Sequence, residues 1–239
     1  MEGPGSRIIF RKLQRHAGEA FQLQVDGKEM GSPILSGVAI YGKRIYLTLG
    51  NDSYSIFFGM FGRFSEGPIA GKKKPGMILA SSTATFSFYG CSIKKIPMES
   101  YLGFIDESKD LTSAEFNLGN TVTEAKKAAP YDELICDVLL DQSILPGSGN
   151  IIKNEALFRS SMHPARKMEY ITLDELNGLF RQAREFSMKW VEASERGEKI
   201  SPSLTVYGKK ICIKCGRPLM KEKMGLSNRQ TYWCSICQK

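Results

Sequence analysis

The chain has 239 residues, 42% of them hydrophobic, with a formal net charge of +8. That length can bury a core without disulfides, and the ordinary apolar fraction excludes a disordered or fibrous chain. No apolar run is long enough to cross a bilayer, the start MEGPGSRIIFRKLQRH has no secretory apolar stretch, and the positive excess favours a polyanionic partner.

In chain order, a short helix is expected over Arg7 to His16. SGVAIYGKRIYLTLGNDSYSIFFGMFG then alternates apolar and polar residues between turn signals at Gly42 and at Gly50-Asn51-Asp52. ILASSTATFSFYGCSIKKI continues in that style, and two strand-rich blocks suggest a β-sandwich. TEAKKAAPYDE reads as a charged, Ala-rich connection. DELICDVLLDQSIL and NEALFRSSM have apolar residues at helical spacing, with a compact turn, Leu145 to Asn150, between them. Thr172 and Glu175 make a capping box. The helix it opens has Leu173, Leu176, Phe180, Ala183 and Trp190 on a core-facing stripe, and Glu198 and Pro202 mark its end. The expected class is α+β.

Of six cysteines, Cys91 and Cys136 stand alone in apolar surroundings and read as buried, inert thiols. Cys212-x-x-Cys215 and Cys234-x-x-Cys237 are separated by 18 residues. Each pair suits a tight turn, and a hairpin between them brings four thiolates to one tetrahedral zinc ion. A tail this short cannot bury a core, so the metal supplies most of its folding energy. A pair of disulfides or a redox Cys-x-x-Cys is the alternative, disfavoured by two such motifs at ribbon spacing in a reducing cytoplasm. The intervening Ser227-Asn228-Arg229-Gln230-Thr231 presents an arginine, which by itself reads as a solvated side chain.

GSGNIIKNEALFRSSMHP resembles the helix–two-turns–helix motif of the formamidopyrimidine-DNA glycosylase and endonuclease VIII family. CIKCGRPL and NRQTYWCSICQK resemble its C-terminal zinc finger, and MEGPG its N-terminal catalytic signature. GNIIKNEALF is similar to the endonuclease VIII-like type-three subgroup, whose members act on oxidised bases in single-stranded DNA. The resemblance implies a catalytic β-sandwich domain over 1–120, a helix–two-turns–helix domain over 121–203 and a zinc-finger hairpin over 204–239. It also implies a bifunctional glycosylase and AP lyase acting as a monomer on damaged DNA, double- or single-stranded, with one structural zinc. The expected location is the cytoplasm or nucleoid, or the nucleus of a eukaryote. A non-catalytic damaged-DNA or single-strand binder on the same fold is the alternative.

The implied roles have a physical basis. Met1 stands where the family has an N-terminal proline. Bulky Glu2 favours retention of the initiator methionine, so a free primary amine is expected. An α-amine is unprotonated in roughly one molecule in seven at neutral pH, a lysine in about one in 2,500. The terminus therefore suits attack on sugar C1′, and the Schiff base formed eases loss of the 3′ phosphate. Glu2 is the expected general acid and base. Lys43, in a hairpin turn, would hold a phosphate and disfavour protonation of Met1. Met60 would fill the gap left by an extruded base, although a core methionine fits the local sequence equally. The turn before Asn150, a helix N-terminus and the Asn150 amide would hold one phosphate, and Arg229 another. Besides Met1, two further positions depart from the family. Gly5 replaces a second glutamate, and Phe57 replaces a histidine.

Overall fold

A computed structural model of the chain describes residues 1–67, 74–97, 103 and 105–239. It divides into two compact units, Met1 with Gly5–Ile105, and Glu2–Pro4 with Asp106–Lys239. The fold is α+β.

The first unit is a two-sheet β-sandwich. Strands β1 (Gln22–Val25), β2 (Lys28–Glu29), β3 (Leu35–Tyr41), β4 (Arg44–Leu49), β5 (Asp52–Phe57), β6 (Arg63–Glu66), β7 (Met77–Ala80), β8 (Thr85–Tyr89) and β9 (Ser92–Ile96) follow a helix, α1 (Gly3–Gln14). One sheet has the order β2-β1-β7-β8-β6 and the other β3-β4-β5-β9. All pairings are antiparallel. Leu23, Leu79, Phe86 and Phe88 of the first sheet meet Leu35, Ile45, Leu47 and Ile56 of the second in one core, joined by Ile9 and Leu13 of α1. The turns at Gly42 and Gly50 need backbone with φ of 57° and 61°, which favours glycine. Helix α1 begins at Gly3 rather than near Arg7. Pro4 falls in its first turn, where a missing N–H costs nothing.

The second unit is helical, with a terminal hairpin. Its helices are α2 (Leu118–Ala128), α3 (Ile135–Val138), α4 (Asn150–Arg159) and α5 (Leu173–Glu195), followed by β10 (Met220–Met224) and β11 (Arg229–Trp233). TEAKKA, expected as a connection, lies inside α2, capped by the Asn117 side chain on Asn120 N. Ala, Glu and Lys are strong helix formers, and Thr121, Val122 and Ala125 give this helix a buried face. Conversely, DELICDVLLDQSIL forms only the four residues of α3 as α-helix. The Asp141 carboxylate accepts the Ser143 N–H and hydroxyl, a local turn that competes with helix. Its apolar residues still reach the core, among them Ile135, Val138, Leu139 and Leu145. The Thr172–Glu175 capping box opens α5, which ends at Glu195, before Glu198. Leu176, Phe180 and Ala183 are buried as expected, whereas Leu173, in the first turn, is 55% exposed.

Candidate functional site

Within the sandwich unit, the Met1 side chain packs against the core. It lies over Gly5, where an added β-carbon would stand 2.7 Å from Met1 Cγ. Gly5 thus leaves room for the Met1 side chain. The Met1 amine donates to the Gly59 carbonyl. Gly59 precedes Met60, so the chain terminus and the proposed gap-filling residue share one turn. Met60 is 68% exposed, which rules out a core methionine. Lys43 lies half-buried in the turn between β3 and β4.

The helical unit seats Glu2. Its carboxylate accepts N–H groups from Ile151 at 2.7 Å and Ile152 at 3.2 Å, the first-turn donors of α4. These donors have no intrahelical partner, and the helix N-terminus is electropositive, so the site suits an anion. A DNA phosphate is the ligand expected at this helix terminus from the sequence; at these two amides the chain's own Glu2 takes that place. The seat depends on glycine. A β-carbon on Gly149 would come within 2.4 Å of Glu2 Cδ, and one on Gly3 within 2.7 Å of Gly147 Cα. Gly3 N also donates to Gly147 O at 2.9 Å.

Asn150 is the first residue of α4. Its Nδ2 donates to Gln230 O at 2.9 Å, tying it to the residue after Arg229. Arg229 is exposed and opens β11, just beyond the turn at 225–228. Glu2, Asn150 and Arg229 are thus linked through α4 and the hairpin.

The remainder of α4 carries polar residues whose role the local sequence leaves unassigned. Lys153, Asn154 and Glu155 are fully buried. Lys153 Nζ donates to Thr231 Oγ1 at 2.7 Å, and that hydroxyl donates to Arg229 O. Burial lowers the Lys153 pKa to about 8, the Cys136 and Asp137 charges opposing, Arg229 adding to the drop and Glu2 opposing it. Asn154 accepts the Tyr232 N–H at 2.6 Å. Glu155 accepts the N–H groups of Thr205, Val206 and Tyr207 at 3.0 Å. Asp137 accepts the N–H groups of Leu226 and Ser227 in the hairpin turn, where Gly225 leaves it room. The signal was present in the sequence: Lys-Asn-Glu interrupts an apolar pattern on a helix that has no solvent face.

The four tail cysteines have sulfurs within 4.8 Å of one another, Cys215 to Cys234 at 3.5 Å and Cys212 to Cys237 at 3.9 Å. A disulfide requires about 2 Å. Tetrahedral zinc–thiolate bonds of about 2.3 Å place sulfurs about 3.8 Å apart, so the cluster fits one such ion. Cys91 and Cys136 behave otherwise. Burial pushes both thiols up to about 11, though Cys91 is only half-buried.

Residues 109–201 match the formamidopyrimidine-DNA glycosylase H2TH domain. Endonuclease 8-like 3 of Mus musculus is 34% identical over 212 residues, covering 86% of this chain and 35% of that protein. The Homo sapiens protein of the same name is 33% identical over the same shares. Endonuclease 8-like 2 of Bos taurus is 30% identical over 77% of this chain and 57% of its own length. The chain therefore belongs to the formamidopyrimidine-DNA glycosylase and endonuclease VIII family. It spans about a third of the length of the endonuclease 8-like 3 proteins it matches. Its fold is that of a viral DNA glycosylase, with a TM-score of 0.87 and 24% identity over all of both chains. It is also that of Lactococcus lactis formamidopyrimidine-DNA glycosylase solved with abasic-site DNA, with a TM-score of 0.83 and 20% identity, again over both whole chains. The helix bearing Asn150 lies inside the matched H2TH region.

Proposed function

We propose that this chain is a bifunctional DNA glycosylase and AP lyase of base excision repair, which removes oxidised bases and cleaves abasic sites by β-elimination. The observation that carries this reading is the seat of Glu2 on the first amides of the H2TH helix, directly after the N-terminal amine in sequence.

In this reading the unprotonated Met1 amine attacks C1′ of the damaged nucleotide. The C1′–base bond breaks and its electrons leave with the base. Sugar opening then gives a Schiff base. Loss of a proton from C2′ expels the 3′ phosphate, and hydrolysis returns the amine. The Gly59 carbonyl takes one amine hydrogen and so directs the nitrogen. Glu2 moves the protons: to the opening sugar, and from C2′. Its two α4 hydrogen bonds fix the carboxylate through both steps. Lys43 and Arg229 hold phosphates flanking the extruded nucleotide, Asn150 places the hairpin that carries Arg229, and Met60 enters the vacated stack. Cys212, Cys215, Cys234 and Cys237 hold one zinc, whose part is to fold the tail. The substrate places the protein in the nucleoid or nucleus.

The test is a pair of oligonucleotides, one with an oxidised base and one with an abasic site. Base release from the first and a β-elimination nick in the second are expected. Tight binding to both without either product would favour the non-catalytic binder.

A further inference from the structure

The turn from Phe58 to Gly62 has a buried root and an apolar tip. Phe58 is 1% exposed and meets Phe88 in the sandwich core. Gly62 N donates back to Phe58 O at 2.8 Å. Gly59 has φ of 54°, and a β-carbon on Gly62 would overlap Phe58 O. Both positions thus require glycine, and the turn is tightly constrained. At its tip, beside Met60, stands Phe61, 80% exposed. Among the described residues only Leu226 is a more exposed large apolar side chain.

The flanks of this turn are cationic. Arg44 is exposed and lies over the Phe57 ring at 5.0 Å, and exposed Arg63 opens the strand that follows. The N-terminal amine donates to Gly59 O at the base of the same tip. An aromatic side chain held out in water, on a turn flanked by two arginines and touched at its base by the chain's α-amine, matches a nucleobase on a phosphate backbone. A protein partner would need a wider apolar surface than these two side chains.

We infer that Phe61 is a substrate-binding residue that stacks on the nucleobase next to the damaged nucleotide, while Met60 fills the gap itself. This rests on the glycosylase and lyase reading above. The two side chains have separate tasks. Flexible Met60 adapts to the gap the lesion leaves, and planar Phe61 caps the intact neighbour. Any base offers a π-face, so Phe61 adds affinity without reading sequence. It also registers the strand so that the nucleotide beside the capped base faces the Met1 amine.

The experiment uses an oligonucleotide with a stable abasic analogue and 2-aminopurine as the adjacent base. The full chain should quench the 2-aminopurine emission on binding. Phe61→Ala should leave the bound probe bright and weaken binding about ten-fold. Phe61→Trp should restore both quenching and affinity, which a merely structural role would not predict. Circular dichroism shows that each variant is folded. Equal quenching and affinity for wild type and Phe61→Ala, with wild type still preferring the abasic strand to an undamaged one, would overturn this inference alone. No preference for the abasic strand by wild type would overturn it together with the reading it rests on.

Discussion

A β-carbon at position 149 would lie 2.4 Å from the Glu2 carboxyl carbon. Gly149→Ala must therefore displace Glu2 from the Ile151 and Ile152 amides while leaving every proposed catalytic side chain in the sequence. Single-turnover base release should fall about 10²-fold, in the range of a lost acid–base contribution, and the DNA affinity should change little. Unaltered base release would show that the seat is not needed. Lys153 gives a second test. Its pKa is lowered from the usual 10.5 to about 8 by burial. Between these values the unfolded chain holds a proton that the folded one has released, so stability rises with pH. Below about 8 both states are protonated, and the contribution is flat and unfavourable. The stability of wild type relative to Lys153→Met should thus improve from pH 8 to 10.5, by at most about 1.4 kcal/mol per unit. Denaturant titrations at several pH values measure it. A difference independent of pH would contradict the assignment.

At the scale of elements, α4 is a helix with polar residues on its buried side. Glu155 alone receives the backbone N–H groups of Thr205, Val206 and Tyr207. Converting it to Gln would keep one oxygen for those amides but turn an NH2 toward the Thr205 hydroxyl and the Arg159 guanidinium, and should destabilise by about 2–4 kcal/mol, visible as a lower melting temperature. A near-neutral Glu155→Gln would mean that one oxygen is enough. The cysteine cluster could hold a metal ion, and the proposal that the hairpin depends on zinc is tested separately. Elemental analysis should find one zinc per chain, and Cys234→Ser should lose it along with DNA binding. Full binding without metal would refute that. Much of this level was legible beforehand. The turn glycines, the capping box and the Cys-x-x-Cys pairs have local chemistry that fixes local structure. What could not be read depends on long-range partners. TEAKKA looked like a solvated linker until Thr121, Val122 and Ala125 had a core to face. Glu2 and Asp137 gave no local sign that they accept amides from residues far away in sequence. Lys-Asn-Glu within α4 could be explained only when the tail was in place.

In the whole molecule, the proposed reactive centre is the chain terminus. A net charge of +8 provides sequence-independent attraction to a polyanion, and the family supplies the scaffold. The proposed attacking group is the α-amine of Met1, not one of the many lysines. Sodium borohydride reduction of the protein on abasic-site DNA, followed by peptide mass spectrometry, tests this most directly. A covalent adduct on Met1 is expected. One added N-terminal residue should severely reduce trapping while binding largely survives, because Asn150, Arg229 and the cysteine cluster are untouched. An adduct on Lys43, or an extended chain that traps as well as the original, would contradict it.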